Sequence, residues 1–276
     1  MSYKLLSFSN PKIQKSNKVY SNYLSAILHL HPISTKICPY QDIAGCKEAC
    51  LNTAGRGGIM KKGETTNVIQ EARKRKTKLY LEDRDTFMSY LIADITKFVR
   101  YCEKKDKLPC LRLNGTSDIQ WETIPTKNTH YRISKMHLFQ EHSKYFEGYG
   151  HPEWKPCKEI VNLGWKEANN IFELFPDVQF YDYTKIPTRK VKHITNYHLT
   201  WSYSEANNKY AQYFDTIHYN IAVVFNGEMP IFYKGREVIN GDESDIRFMD
   251  KPNVVVGLKA KGKAKKDVSG FVIHTA

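Results

Sequence analysis

The spacing of apolar positions along this chain changes character near residue 105. Through 67–101, Val68, Ala72, Leu79, Phe87, Leu91, Ile95 and Phe98 recur at roughly helical intervals, which predicts helix with a break around residues 82–85. Beyond it the apolar runs shorten and stop abruptly in polar residues. Residues 110–113 run into Asn114, Gly115, Thr116, Ser117 and Asp118, and 178–181 into Asp182, Tyr183, Thr184 and Lys185. Residues 198–201 lead into Ser202 and Glu205, and 221–225 into Asn226 and Gly227. These read as strands. Between two of them, 156–175 carries Ile160, Leu163, Ala168, Ile171, Phe172 and Phe175 on one helical side and stops at Pro176. Strands separated by helices predict βα units and a parallel sheet.

The expected fold class is therefore α/β, a parallel sheet with a (β/α) barrel-like core, and an open doubly wound sheet is the second choice. The C-terminal part has another grammar, because 230–239, 253–264 and 270–274 are strand-like pieces joined by turns. Two parts are expected: a barrel-like α/β domain over 1–229, with a polar insertion near 123–156, and a β-rich basic subdomain over 230–276. In parallel architectures functional groups gather where strands end at their carboxyl termini. The polar strand exits are the positions to search for chemistry.

Charge narrows the partners. Lys and Arg number 42 against 29 Asp and Glu, a formal excess of +13, which favours polyanions such as nucleic acid or a phosphorylated substrate. No run approaches the ~18–20 apolar residues of a membrane helix, and the start lacks a signal peptide's apolar stretch. The expectation is a cytoplasmic protein without membrane contact. In a reducing compartment its six cysteines are thiols or metal ligands rather than a disulfide framework.

Three of them cluster. Cys38, Cys46 and Cys50 lie seven and then three residues apart, and a helix beginning near Gly45 would put Cys46 and Cys50 on one side. Three converging thiolates suit zinc, with His29, His31 or Cys157 as a fourth ligand, or an iron–sulfur cluster with one iron left open. Buried structural cysteines are the plainer alternative. Cys102 and Cys110 read as ordinary core or surface thiols.

The strand exits supply the remaining chemistry. Asp118 and Asp182 are the candidate catalytic carboxylates, as nucleophile or general base, with Asn114 and Lys185 orienting a substrate. Against this stand loop capping by Asp118 and a structural ion pair for Asp182. Arg112, Trp121 and Tyr183 are candidate substrate-binding residues, the aromatics as stacking planes for an unpaired base. A second polar group, Asp242, Asp245, Arg247 and Asp250, suggests a divalent-cation or substrate site, with Asp245 and Arg247 the stronger pair and turn chemistry the simpler account. Lys259, Lys261, Lys263 and Lys265 alternate, so an extended strand would turn all four toward phosphate, or toward solvent as edge protection. The basic run 73–78 is a weaker phosphate candidate.

The ordered set Cys38-Pro39, Cys46, Cys50, Gly55-Arg56-Gly57, Arg73, Arg84, the 112–118 strand exit, the 181–185 exit and 241–250 resembles a bacteriophage family of unassigned activity, the gene product eighty-eight family. That resemblance covers most of the chain and implies a phage origin. In outline, a cysteine triplet followed by polar strand ends is also similar to radical S-adenosylmethionine barrels, which would imply S-adenosylmethionine as a cofactor. The cysteine spacing departs from the three and two residues typical there. The compact zinc–cysteine motif of base-exchanging transglycosylases is also missing.

These readings converge on a phage metalloenzyme that modifies a base or nucleoside in nucleic acid or a nucleotide. The alternative is a non-catalytic nucleic-acid-binding protein with a structural zinc site. A third, a basic face for an acidic host protein, has less behind it.

Overall fold

The computed structural model describes residues 4–8, 10–53, 55–126, 168–210 and 219–275. The chain order is β1 (Leu6–Ser7), α1 (Pro11–Val19), β2 (Tyr23–Leu28), α2 (Val68–Glu82), α3 (Arg84–Lys104) and β3 (Leu108–Arg112). It continues with α4 (Ile171–Leu174), β4 (Gln179–Thr184), β5 (Tyr197–Ser202), β6 (Ile221–Asn226) and β7 (Phe232–Tyr233). β8 (Arg236–Asn240), β9 (Val255–Lys259) and β10 (Val272–His274) complete it.

The predicted helical region divides at one residue. Asp83 ends α2 by donating its N–H to the Leu79 carbonyl and starts α3 by accepting from the Thr86 N–H. A side chain that caps the second helix cannot also continue the first. Asn67 caps α2 in the same way through the Gln70 N–H.

The strands form one mixed sheet of ten, in the order β1-β2-β3-β4-β5-β6-β9-β8-β7, with β10 also on β6. From β2 through β6 to β9 and β8 every neighbouring pair is parallel. β1 and β7 join antiparallel at the two edges. β5 pairs with Ile221 and Ala222, while β10 lies parallel along Val224, Phe225 and Asn226 farther up the same strand.

The barrel expectation is overturned. β1 and β7 are the ends of the strand path, so the sheet does not close. Only four α-helices lie among the described residues, whereas a (β/α) barrel wraps each strand with one. Residues 185–196 join two parallel neighbours, β4 and β5, without a helix. The parallel crossover needs length rather than helix, and that stretch lacks the apolar periodicity on which βα alternation was inferred. Most of the polar stretch 123–156 and the first part of the 156–175 helix expectation lie outside the described residues.

Successive side chains point to opposite faces. Leu111, Phe180 and Leu199 meet Phe87, Leu91, Ile95 and Phe98 of α3 in the main core. Each fully buried side chain of this kind contributes about 1.5–3 kcal/mol. Cys110 and Tyr181 face the other way and are covered by Ile246, with Phe248 packed alongside. The segment after β8 thus roofs the sheet's second face and leaves the carboxyl ends of the parallel strands open.

Candidate functional site at the strand ends

A cavity of about 190 Å³ lies at the carboxyl ends of β3, β4, β5, β6 and β9. Cys38, Cys46 and Cys50 line it together with Asp118, Lys185, Lys259 and Lys261. Sequence elements more than two hundred residues apart meet here because the parallel strands aim their exits in one direction.

Asn114 builds the β3 exit. Its side-chain Oδ1 accepts from Ser117 Oγ (2.8 Å), the Ile119 N–H (2.9 Å) and Trp121 Nε1 (3.1 Å). Below it, Asp182 accepts from the Asn114 N–H at 2.7 Å and from the Tyr197 hydroxyl at 3.0 Å. Asp182 has no exposed surface and does not line the cavity. Burial pushes its pKa up to about 7, opposed by Arg112 and the Asn114 N–H. Asn114 and Asp182 therefore hold the loop from beneath. Trp121, also fully buried, packs against Tyr80 and Phe87 instead of offering a stacking plane.

Asp118 is the buried carboxylate on the cavity wall, which the part-exposed Asp242 also lines. Its Oδ2 accepts the Lys185 N–H at 2.7 Å, and Oδ1 faces Arg189 Nη1 at 3.5 Å. Burial raises its pKa above the ordinary carboxylate value, and Arg189 pulls it back. Arg189, itself buried, is held by Glu122 in a two-pronged contact of 2.9 and 2.5 Å. Lys185 Nζ donates to Ser202 Oγ at 2.7 Å and lies 5.1 Å from the centre of the Phe271 ring.

The cysteines arrive on a loop, not on the expected α-helix. Gly45–Lys47 is a single 3-10 turn, and Cys50 follows it through a bond from its N–H to the Lys47 carbonyl. Glu205, beyond β5, accepts the Gly45 N–H and fastens the turn. Cys46 and Ala49 pack against Ala260, Ala264 and Phe271. Arg73 from α2 grips Asn52 at 2.9 and 3.0 Å just after Cys50. Within the run 73–78, Lys74 pairs with Glu71 and Lys76 reaches the Leu5 carbonyl, while Arg75 and Lys78 are exposed.

Burial pushes the Cys38 thiol up to about 12 and raises Cys46 and Cys50. Lys185 opposes the shift at all three. Among the described residues no group of three or more His, Cys, Asp or Glu has an arrangement ready to hold a metal ion. His29 and His31 do not line the cavity, and Cys157 lies outside the described residues.

The second polar group divides into separate ion pairs. Asp245 binds Arg112 at 2.9 Å and Lys12 at 2.8 Å. Burial opposes its ionisation, but these cations hold its carboxyl far below the usual range. Arg247 pairs with Asp250 at 3.2 Å, and Asp242 with Lys261 at 2.5 Å. Asp245 and Arg247 thus have different partners, and the three carboxylates do not share a cation. Arg112 also lies over the Tyr183 ring at 4.6 Å, and both line the cavity.

The lysine stripe is likewise corrected. β9 ends at Lys259, Gly262 takes a φ of +57°, and Gly262–Lys266 is a 3-10 turn. Lys259 and Lys261 reach the cavity, whereas Lys263 and Lys265 are exposed and do not line it. Lys12, Ser202, Glu205 and Phe271 are the site residues that sequence patterning did not single out as functional. Only the Ser202 and Glu205 positions, just after a strand, carried a signal.

A second cavity of about 330 Å³ lies beside residues 184–193 and Tyr219 and is lined by neither a thiol nor a carboxylate. Among the described residues no helix is long and apolar enough to cross a membrane. A family model described as Gene product 88 matches residues 4–275. No curated protein and no solved structure matches the chain.

Proposed function

Because the chain belongs to the phage Gene product 88 family, whose name carries no chemistry, we propose from the site itself an enzyme of base or nucleoside modification acting on nucleic acid or a nucleotide. One observation carries this reading: three thiols, a buried carboxylate and unneutralised basic groups share one cavity at the ends of parallel strands. Cys38, Cys46 and Cys50 hold a metal ion or an iron–sulfur cluster in this scheme. Zinc with three thiolates needs Zn–S distances of ~2.3 Å, so the turn at 45–50 must draw its sulfurs inward on binding. An iron–sulfur cluster spreads its ligand sulfurs around a larger body and asks less of the loop. Either group takes up thiolates and so releases protons, a step that the raised thiol pKa values make costlier and that metal–sulfur bonding has to outweigh.

Asp118 is the acid–base residue, since its burial keeps a proton available at higher pH than an exposed carboxyl would. Asp182 and Asn114 are positioning residues that fix the loop carrying it. Lys185 supplies positive charge beside both Asp118 and the thiols.

Anaerobic purification with iron, sulfide and zinc analysis and optical spectroscopy tests the metal. Iron with sulfide, or stoichiometric zinc, lost in the Cys38→Ser/Cys46→Ser/Cys50→Ser variant, is the expected result. Absence of both metals overturns that part. Asp118→Asn is expected to abolish turnover while sparing folding and metal content, and unchanged turnover removes Asp118 from its role.

The charge of +13 favours one other reading, a non-catalytic nucleic-acid binder with structural zinc. It predicts salt-sensitive binding that survives substitution of Asp118 and Asp182.

A further inference from the structure

Five cationic side chains line the strand-end cavity: Lys12, Arg112, Lys185, Lys259 and Lys261. Three are already ion-paired, Lys12 and Arg112 sharing Asp245 and Lys261 holding Asp242. Lys185 and Lys259 have no carboxylate within ion-pair distance among the described residues. Lys185 is the more telling, because its ammonium is half-buried and its contacts, the Ser202 hydroxyl and the Phe271 ring, are both neutral. Its charge reaches Asp118 without pairing with it, so a half-buried cation is left with no anion in direct contact.

The opposite wall offers donors of the same sense. At the β3 exit the Thr116 and Ser117 side chains are committed, to the Leu30 carbonyl and to Asn114 Oδ1. Their backbone N–H groups make no hydrogen bond among the described residues. Consecutive free N–H groups on a loop beside ammonium groups form an anion-binding concavity. Two carboxylates share the cavity: Asp118 is turned to the Lys185 N–H and Arg189, and Asp242 is held by Lys261 and the Lys259 N–H.

We propose that Lys185, Lys259 and the N–H groups of Thr116 and Ser117 form a phosphate subsite, and that the ligand is a single nucleotide unit anchored there by its phosphate. The nucleoside half of this statement rests on the function proposed above, whereas the phosphate half rests on the unpaired donors alone. Lys261, the alternating lysine nearest to it, is excluded because Asp242 holds it. To reach a cavity at the strand ends, a nucleotide within a polymer must be extruded or unpaired.

The test measures equilibrium binding of inorganic phosphate, deoxynucleoside 5′-monophosphates and the matching deoxynucleosides to the full chain at low salt. Monophosphates are expected to bind at least tenfold more tightly than nucleosides. Lys185→Met and Lys259→Met should each erase most of that difference, and Lys266→Met, outside the cavity, should leave it intact. Lys259 is exposed, so its variant keeps the test available should Lys185→Met not fold. Equal affinity for nucleoside and monophosphate, or an equal loss in Lys266→Met, overturns the subsite. Phosphate binding without any nucleoside contribution keeps the subsite and removes the nucleotide reading. Nucleoside binding without a phosphate preference does the reverse, and binding of neither removes both.

Discussion

At Gly45 the cysteine loop packs closely against the turn before β10. A Cβ built there would lie 1.7 Å from Ser269 Oγ, 2.5 Å from Ser269 Cβ and 3.3 Å from Asp267 Oδ1. Rotating the Ser269 hydroxyl away does not suffice, because its Cβ is also too near. The backbone of one segment must move. Ser269 Oγ bonds Asp267 Oδ1 at 2.7 Å and the Phe271 N–H at 3.2 Å, so displacing it strains both contacts and the seat of Phe271 over Lys185. Overpacking of this kind costs about 1–3 kcal/mol, and each hydrogen bond lost adds about 1 kcal/mol. Gly45→Ala should therefore lower unfolding free energy by about 2–4 kcal/mol in denaturant titration, or else free the loop from its seat. Thiol labelling separates these outcomes, since an undocked loop exposes Cys46 and speeds its modification. Ser269→Gly removes the obstructing atoms, and in combination with Gly45→Ala it should recover most of the loss. If Gly45→Ala costs under about 0.5 kcal/mol with labelling unchanged, this close approach does not hold the thiols at the cavity.

Two further outcomes follow from buried charges. Asp182 binds its proton up to about pH 7 when folded but only to its ordinary value near 4 when unfolded. The folded state thus holds the extra proton between these limits, and this group's contribution to stability falls as pH rises from about 4 to about 7. His29 and His198, lowered to about 3 and about 4, act in the opposite sense, so the informative quantity is the stability difference between wild type and Asp182→Asn across that window. Wild type should lose ground steadily relative to the variant as pH rises, and a flat difference would show that Asp182 is ionised in the fold. Arg112→Met leaves Asp245 buried with only Lys12 and should cost about 3–5 kcal/mol in denaturant titration, while adding Asp245→Asn should restore a large part of it.

Asp118 and Asp182 illustrate how far local pattern reaches. The strand exits bearing Asp118 and Asp182 were both legible as apolar runs ending in polar residues, and the helices either side of Asp83 were legible from spacing. Which exit side chain looks into a cavity and which anchors the loop beneath it depends on pairing partners far along the chain. Asp182 is committed to Asn114, just past β3, and to Tyr197, which opens β5, and neither commitment leaves a trace in residues 178–185. The lysine stripe failed for a local reason instead. Gly262 at positive φ ends the extended run before Lys263. Gly262 is visible in the sequence as a glycine, but the handedness of its backbone is not.

Closure of the sheet was the least legible property, because it rests on whether β1 and β7 meet, and no short segment encodes that. Its failure leaves the argument for the site unaffected. What gathers functional groups at one edge of a parallel array is the common direction of the strands, which a barrel and an open sheet share. The thiols, Asp118, Lys185 and Lys259 therefore converge for the reason first given, in a fold other than the one expected. Glu205, found only in the folded chain, ties that convergence together through the Gly45 N–H, immediately before Cys46. The candidate chemistry depends on where strands end; the wall that encloses it depends on contacts between segments that only the folded chain brings together.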